Sequence, residues 1–501
     1  MRKFTITVTV SATGNESAFG QSLCAVLQAG VNQIVARAVT FLSQEISPKA
    51  MFDLEESLRL AGRELLRNVV ECVLQHVEPA KHAEAPARIR TSFADEYRCR
   101  PKSRLALATL FGEVSVHRLL YESLLPGEAC LFPLDLWIGV GAGHVSPGLL
   151  EKIGRLAADN TQGDVIKTVK QEHGVKLSVG RLRTIIAGAS QQVAPFILDA
   201  RVERLKQLLQ AAFASRGKHL PTLVVGRDGC DIAIYGEKYK VAATATVSVF
   251  DRRGKRLGTV YLGRMPEENQ VSLTRELSEV LLGLMKAWTG KMPRLAYVTD
   301  SGYQESHYWS MLRRMRHPVT GKRLAWERIV DFYHACQYVN RLGTAVFGEG
   351  REANRWFRKM RRWMRDELRG VHRVLNSAAA LRLTRGPLTG KALKEFETCF
   401  RYLSKRLRFL NFHDYRKRGL PIGSGVTEAA CKIVFTQRFK RSGMTWKRES
   451  GQHILNLRTL TLSGLWSTVF QASLKGKTGI HTLLKQRAKG PMTHILVQNA
   501  A

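Results

Sequence analysis

Two aspartates in the middle of the chain each follow a short apolar run and precede a glycine. Asp228 ends the run that begins at Thr222, and Asp300 ends a second run of the same design that begins at Arg294. An acid that emerges from a buried strand is well placed for catalysis, although many strands end in an Asp-Gly turn without any function. The repeated design makes these two carboxylates a candidate pair, and the surrounding elements must decide whether they meet.

The segments around the two aspartates predict an α/β domain. The strand at Thr222 is followed by predicted strands at Val241–Phe250 and Arg256–Gly263, with a turn between them at residues 251–254, which indicates an antiparallel meander. Beyond the meander, helices are expected at residues 272–288 and 304–316, and strands at 294–300 and 329–331, the last leading into a helix that contains His334. Three antiparallel strands followed by β/α units is the order of a ribonuclease-H-like fold, whose strands 1 and 4 bring two carboxylates together.

A strand-free region follows this predicted core (residues 220–345) and separates it from its final part (421–465). Basic and aromatic residues crowd two helical stretches of this region, residues 346–420. One interpretation is a solvated charged face over an aromatic core, and the other is an α-helical insertion that holds DNA. We favour the second, because so many positive charges on consecutive turns repel one another unless phosphates neutralise them.

A third acid, Glu428, lies just after the insertion. Gly423 and Gly425 precede a helix predicted to start near Val426, which places Glu428 in its first turn. An acid at that position often does no more than complement the helix dipole, so the pattern alone leaves its role open.

The N-terminal half predicts three further regions. Residues 1–90 contain a strand-like segment at Phe4–Val10, a helix at Phe52–Val77 and a linker at Pro79–Arg90, and residues 97–145 predict a basic β-hairpin that turns at Phe111 to Glu113. Residues 146–215 predict helices at 147–159, 161–173 and 179–190, the last capped by Ser178, and then a connecting helix. Residues 466–501 form a basic C-terminal tail.

The three helices of residues 146–190 are typical of a helix-turn-helix, whose last helix enters the major groove of DNA. Arg181 and Arg183, in the first turn of that helix, are the residues that would contact the bases or phosphates. A purely structural three-helix unit is the alternative, and both interpretations stay open at this point.

Charge favours a polyanionic partner. The 501 residues carry 78 Lys and Arg against 42 Asp and Glu, a formal net charge of +36, so nucleic acid is the first candidate. A membrane surface is the rival, but the least polar stretch, Leu23–Leu42, is interrupted by polar residues, so we expect no membrane partner. The eight cysteines show no Cys-x-x-Cys spacing, which is typical of reduced thiols in a cytoplasmic protein.

Several of these segments together resemble the insertion-sequence transposases of prokaryotes that belong to the DDE class, most closely the Kra-type family. The longest likeness runs from Pro421 to Trp446 and continues through residues 449–460. Shorter ones lie at Phe111–Arg118, in the helix-turn-helix, at Arg227–Gly229, at Val298–Gly302 and at Asp331–His334. The resemblance covers about residues 97–465, and the first 90 residues add little to it.

The resemblance implies that Asp228, Asp300 and Glu428 are a catalytic triad that binds two Mg²⁺ or Mn²⁺ ions. We expect Asp228 to bridge both ions and the other two acids to complete one shell each, since paired divalent ions activate the attacking oxygen and stabilise the leaving oxygen in phosphodiester chemistry. Asp331 and His334 match an Asp-x-x-His element of related families. They are expected either to support the active site or to fix a strand-to-helix junction.

The implied partners are double-stranded DNA, as terminal inverted repeats and as target, and further copies of the chain in a dimer or larger assembly on DNA. Besides Arg181 and Arg183, the expected DNA contacts are Arg355, Arg358, Arg362, Lys432, Arg438, Lys440 and Arg441. A DNA-binding regulator that has lost catalysis is the alternative. A hydrolase of neutral polymers would leave the positive charge unexplained.

Overall fold

The computed structural model describes residues 9, 18–79, 82–91, 96–385, 387–441, 443–475 and 492–495. The chain divides into two units, residues 1–195 with 467–501, and residues 196–466. The strand expected at Phe4–Val10 lies outside the described residues apart from Thr9, and so does most of the basic tail beyond Lys475.

The first unit contains helices and a mostly antiparallel sheet. Its elements in chain order are α1 (Ala18–Leu42), α2 (Pro48–Gln75), β1 (Arg88–Thr91), β2 (Glu96–Thr109), β3 (Gly112–Ser123), α3 (Pro133–Ile138), α4 (Pro147–Asp159), α5 (Gln162–His173) and α6 (Val179–Val193). The β2–β3 pair confirms the predicted hairpin, and Gly112 takes the positive φ of 125° that its turn requires. The expected linker at Pro79–Arg90 is more ordered than predicted, because it holds a 3₁₀ turn at His82–Glu84 and the start of β1, which pairs with β2.

Helices α4, α5 and α6 confirm the predicted three-helix segment nearly to the residue, because each begins at a side-chain cap. Ser146 accepts a hydrogen bond from the Leu149 amide, Thr161 forms a reciprocal capping box, and Ser178 accepts from the Arg181 amide. Gly174 ends α5 in the left-handed region at φ 69°. The helices are thus fixed locally, whereas their binding to DNA stays a prediction.

Helix α1 is the single described helix that is long and apolar enough to cross a membrane. It lies near the N-terminus, and only 6% of its most apolar window is buried. A signal sequence or a core helix can have the same length and composition, so one such helix is weak evidence for a membrane span.

The second unit contains a mixed five-stranded sheet and helices on both sides of it. Its elements are α7 (Ile197–Ala214), β4 (Thr222–Ile234), β5 (Lys238–Phe250), β6 (Arg256–Arg264), α8 (Val271–Ala287), β7 (Arg294–Thr299), α9 (Tyr303–Leu312), β8 (Trp326–Val330), α10 (Phe332–Phe347), α11 (Arg351–Asp366), α12 (Gly370–Thr384), α13 (Gly390–Arg406), α14 (Phe412–Lys417), α15 (Gly425–Cys431), a π-helical turn (Lys432–Thr436), α16 (Gln437–Phe439) and α17 (Arg448–Leu462). After it, α18 (Trp466–Lys475) and β9 (Met492–Ile495) follow, and β9 pairs in parallel with β1.

The strand order in the second unit is β6-β5-β4-β7-β8. The β4–β5 and β5–β6 pairs are antiparallel, and the β4–β7 and β7–β8 pairs are parallel. This arrangement confirms the predicted mixed sheet, with a meander first and β/α units after it.

Alternate residues of the central strands pack on opposite faces of the sheet. Leu223 and Val225 lie in a core with α7, α8 and α9. Val224 and Val298 lie in a second core with α10 and the helical region α11 to α14. The region expected to be an insertion therefore covers one face of the sheet, and no strand occurs in its described residues.

Strand β4 does not end at Asp228, contrary to the sequence-based expectation. It continues to Ile234, because β5 remains paired with it as far as the Ile234–Lys238 register. The parallel pairing of β4 with β7, in contrast, stops at Val225 and Tyr297. Asp228 therefore lies where β4 separates from β7, and not in an Asp-Gly turn.

Helix α15 crosses β4 and β5 at a glycine. A Cβ at Gly226 would overlap the Thr427 hydroxyl, which is itself hydrogen-bonded to the Thr246 hydroxyl at 2.9 Å. The close approach of this helix to the strand thus requires glycine at position 226.

We predict that Gly226→Ala lowers the free energy of unfolding by about 1–3 kcal/mol, because the added methyl group must push α15 away from the sheet. Gly425→Ala is the matched control, since a Cβ there meets nothing within 4 Å and alanine favours a helix. Urea denaturation of both variants checks the prediction. Equal stability of the two variants would contradict the proposed close approach.

Candidate active site

Asp228 and Asp300 lie at the same level on neighbouring strands. Val225 of β4 is opposite Tyr297 of β7, and each aspartate comes three residues further along, Asp228 within β4 and Asp300 directly after the end of β7. By strand alternation both belong to the face of Val224 and Val298, which is the face that the helical region covers. The structure thus brings the two sequence-predicted acids to one edge of the sheet.

Helix α15 carries Glu428 to the same edge. Its neighbour Thr427 packs on Gly226, two residues before Asp228, and the Ser424 hydroxyl donates a hydrogen bond of 2.8 Å to the Glu428 carboxylate. The charges of both Asp300 and Glu428 reach Asp228, where each favours the protonated form. Asp300 and Glu428 therefore both lie close enough to Asp228 for their charges to act on it.

Burial is the largest influence on Asp228 and raises the pKa of its carboxyl group, and the charges of Asp300 and Glu428 raise it further. Hydrogen bonds donated by the Cys431 thiol and by the Gly229 amide oppose this rise. Among the described residues, no basic side chain lies within 4.0 Å of any of the three carboxylates. None of the three carboxylates therefore forms an ion pair within the described part of the protein.

The donor types at this edge suit a hard divalent cation, which prefers carboxylate oxygens. Nevertheless, the described residues contain no group of three or more His, Cys, Asp or Glu side chains placed closely enough to hold a metal ion as they stand. The three carboxylates suit a divalent cation in donor type and in charge, but they are not placed closely enough in this structure to coordinate one together.

A fourth acid, Glu305, lies beside the pair and was missed in the sequence. It occupies the first turn of α9, is 8% exposed, and has a pKa raised first by burial and then by the charge of Asp300, with a smaller effect from Asp228. Gly302 makes room for it, since a Cβ there would overlap the Glu305 carboxylate and come within 3.6 Å of Asp300 Oδ1. A first-turn acid five residues after Asp300 was the signal in the sequence.

The thiol of Cys431 is a second missed contact. It lies one helical turn beyond Glu428 on the buried face of α15 and donates a hydrogen bond to Asp228. Burial, followed by the charge of Asp228, raises the pKa of this thiol well above its ordinary value, so it remains a neutral donor. The spacing of three residues from Glu428 was its only signal.

The loop after Asp300 is held by helix α13. The Tyr402 hydroxyl donates to the Asp300 carbonyl at 3.1 Å, and Arg406 donates to the Ser301 carbonyl at 3.2 Å. Ser301 has a φ of 72°, in the left-handed region that a non-glycine residue occupies at a cost of about 1–3 kcal/mol. These hydrogen bonds stabilise a strained turn immediately beside a candidate catalytic acid.

Asp331 stabilises the segment that carries the third acid. Its carboxylate is fully buried, caps α10 by accepting from the His334 amide at 2.6 Å, and also accepts from the Ser424 amide. Since Ser424 in turn donates to Glu428, Asp331 acts as a positioning residue for the third acid.

The ring of His334 lies in an aromatic cluster. It contacts Tyr338 and Tyr402 edge-on, at centroid distances of 5.4 and 5.9 Å. This placement agrees with the interpretation that Asp331 and His334 fix the junction between β8 and α10. Asp331 is buried, and the ring of His334 packs against two tyrosine rings.

The predicted DNA contacts differ in accessibility. The side chains of Arg183, Arg355, Arg358, Arg362, Lys432, Lys440 and Arg441 are exposed. Arg181 is half-buried and bonds the Glu113 carboxylate at 2.9 Å and the Gly143 carbonyl at 2.9 Å. The prediction that Arg438 contacts DNA is wrong. Arg438 is 1% exposed and lies over the rings of Phe439 and Trp446, because the π-helical turn before it rotates it toward the core. It therefore cannot reach DNA in this conformation.

Comparison with known proteins identifies no relative: no family model matches the chain, and no curated protein matches it.

We predict that Asp228→Asn raises the thermal stability of the protein at neutral pH. Because the folded state raises the pKa of Asp228, it binds the proton more tightly than the unfolded state does, so stability is greatest below about pH 4 and falls as pH rises through the raised pKa. Asparagine removes that penalty and keeps an oxygen that can accept the hydrogen bond from the Gly229 amide. Melting curves across pH should show the gain of Asp228→Asn at pH 7 and its disappearance in acid.

The control for this measurement is Asp231→Asn, which neutralises an exposed acid three residues further along β4. An equal gain in the control would mean that net charge, and not burial among other acids, determines the effect.

We also predict that Asp331→Asn lowers the free energy of unfolding by about 1–3 kcal/mol, because an amide cannot accept both backbone hydrogen bonds without presenting its own donor to one of them. Asp199→Asn, which removes an exposed first-turn acid from α7, serves as the control and should be nearly neutral. Chemical denaturation compares the two, and matching values would contradict the role of Asp331.

Proposed function

We propose that the chain is a DDE transposase of an insertion sequence, with a ribonuclease-H-like core interrupted by the helical insertion α11–α14. It binds terminal inverted repeats, cleaves DNA phosphodiester bonds and transfers the 3′ ends to target DNA. One observation carries the proposal: Asp228 and Asp300 lie level on neighbouring strands, and α15 carries Glu428 to the same edge.

The strand order supports this core. A meander forms one half of the sheet β6-β5-β4-β7-β8, and strands that alternate with helices form the other half, as the ribonuclease-H-like fold requires. Asp228 lies within the first strand of that sheet, Asp300 directly follows the fourth strand, and the acid on the late helix α15 comes after the insertion. The placement of all three acids thus agrees with the resemblance in residues 97–465.

Asp228, Asp300 and Glu428 would hold the Mg²⁺ or Mn²⁺ ions of this chemistry. Such ions, when bound, activate the attacking oxygen and stabilise the leaving oxygen of the phosphodiester. The protein's own contribution is to keep the three carboxylates free of cationic partners and to orient them through neutral donors. Those donors are the Gly229 amide for Asp228, the Gly302 amide for Asp300 and the Ser424 hydroxyl for Glu428.

The charge distribution supports DNA as the substrate. Arg355, Arg358 and Arg362 recur at helical spacing on the exposed side of α11, and none of them has an acidic partner among the described residues. Because unpaired arginines on adjacent turns repel one another, a phosphate backbone is the partner that they suit. Arg183 presents a further exposed charge on α6.

Two features of the working enzyme follow from the proposal. Cutting and joining two element ends requires synapsis, so the protein acts as a dimer or larger assembly on DNA. All eight cysteines are free thiols, which agrees with a protein that functions in the reducing environment of the cytoplasm.

We predict that Asp228→Ala, Asp300→Ala and Glu428→Ala each abolish Mg²⁺-dependent nicking of DNA that carries the ends of the element, with a loss of at least about 100-fold. Asp231→Ala, on the same strand as Asp228, and His334→Ala should keep most of the activity. Nicking of a labelled duplex, measured together with gel-shift binding, separates loss of catalysis from loss of DNA binding.

The competing function is a DNA-binding regulator without catalysis. It predicts no nicking by the wild-type protein in Mg²⁺ or Mn²⁺, with gel-shift binding unaffected by all three alanine substitutions. Wild-type nicking that persists in Asp228→Ala would contradict the proposed triad itself.

A further inference from the structure

Three arginines meet beside Asp300, and none of them is among the individual residues named above as expected DNA contacts. Arg328 belongs to β8, Arg406 ends α13, and Arg408 lies in the 3₁₀ turn that follows it. The name arginine triad is used below for Arg328, Arg406 and Arg408. Arg328 is 9% exposed, Arg406 is half-buried and Arg408 is exposed, so the triad runs from the protein interior to the surface.

Arg328 forms the buried floor of the triad. Its Nη2 atom donates to the hydroxyls of Ser301 at 2.8 Å and Ser306 at 2.7 Å, and its guanidinium lies 4.9 Å from the ring centroid of Phe409. Its Nε atom is buried and has no hydrogen-bond partner. Hydroxyls and an aromatic ring orient a buried cation, but they do not neutralise it.

No acidic side chain among the described residues lies within 4.0 Å of the arginine triad. The charges of Arg406 and Arg408 both act on Arg328, and together with burial, which is the larger cause, they lower the pKa of its guanidinium. Buried cations are normally paired, because an unpaired one costs several kcal/mol. Three converging cations without a carboxylate are therefore an arrangement that an anion completes.

We infer that the arginine triad binds a backbone phosphate of DNA beside the catalytic carboxylates, an inference that rests on the proposed function. Arg406 donates to the carbonyl of Ser301, the residue directly after Asp300. Phosphates repeat along a DNA strand at a rise of about 3.4 Å, so a strand cleaved at Asp300 has neighbouring phosphates within reach of the triad. The planar fork of a guanidinium matches phosphate oxygens in pairs.

Binding of a random-sequence duplex to the full chain in EDTA, over a series of salt concentrations, tests this inference. Arg408→Gln and Arg406→Gln should each reduce the slope of log K against log salt by about one unit, as expected for a lost phosphate contact. Arg401→Gln, an exposed charge on the same helix, is the control and should change the slope little. Slopes equal to that of Arg401→Gln would overturn the inference.

Tyr402→Phe distinguishes phosphate binding from support of the Asp300 loop. It removes the hydrogen bond to the Asp300 carbonyl without changing any charge. It should leave the salt slope unchanged, and Arg406→Lys should restore most of the slope lost in Arg406→Gln. A slope change in Tyr402→Phe as large as that in Arg406→Gln would assign the effect to the loop and overturn the inference.

Inorganic phosphate, compared with chloride at equal ionic strength, separates the two sources of the anion. It should raise the melting temperature of the wild-type protein by mass action but not that of Arg328→Met. Stabilisation by phosphate together with unchanged salt slopes in DNA binding would indicate a site for free phosphate and would overturn the assignment to DNA. Because no step uses Mg²⁺, these measurements are independent of nicking, so a chain without catalysis can still confirm the arginine triad.

Discussion

The second unit is arranged around one electrostatic constraint: three carboxylates lie at one edge of a sheet, and none of them forms an ion pair within 4.0 Å among the described residues. In a chain with a net charge of +36, arginine and lysine are plentiful, so the lack of a direct ion pair at these carboxylates is a specific feature of the site. Each acid is held by a neutral donor: the Gly229 amide, the Gly302 amide or the Ser424 hydroxyl. A neutral donor occupies one lone pair and leaves the negative charge in place, whereas an ion pair would cancel it. The site therefore retains a negative charge that a bound cation would neutralise.

The helical insertion is part of the support for this site, and not an appendage to the sheet. Its core residues Phe396 and Leu403 belong to the same hydrophobic cluster as Val298 of β7, so α13 is part of the core on this face of the sheet. From that position Tyr402 and Arg406 hold the carbonyls of Asp300 and Ser301 and stabilise a left-handed backbone. Asp331 plays the corresponding role for the third acid, through Ser424. The positions of Asp300 and Glu428 are thus fixed by hydrogen bonds from the surrounding helices and loops. The strained backbone conformation of Ser301 is tolerated because these hydrogen bonds hold it in place.

The repeated design of an apolar run followed by an acid predicted the positions of Asp228 and Asp300, because strand alternation and parallel pairing are local consequences of sequence. Helix bounds were also predictable where a cap marks them, as at Ser146 and Ser178. The continuation of β4 past Asp228 was not, since it depends on pairing with β5 and not on the Asp-Gly dipeptide. Glu305 was missed because a first-turn acid usually complements the helix dipole, and only the tertiary fold shows that it lies beside Asp300. Arg438 was wrongly expected at the surface because the π-helical turn before it rotates the residues that follow, which a regular helical period cannot predict.

The carboxylate edge and the arginine triad are adjacent, and in the function that we propose a phosphodiester lies between them. Three bare carboxylates repel a DNA strand, and a cation bound to them does not by itself fix the strand's direction. At physiological ionic strength, charges farther away than about 8 Å are largely screened, so a cation must lie close to the acids to offset their repulsion of a DNA strand. Arg328 and Arg406 meet this condition, because they contact Ser301, the residue next to Asp300, and Arg328 lies over the ring of Phe409. In the proposed complex, the arginine triad binds a phosphate of the DNA strand, and the carboxylates beside it bind the divalent cations. Cleavage of a phosphodiester by bound divalent ions requires both of these sites.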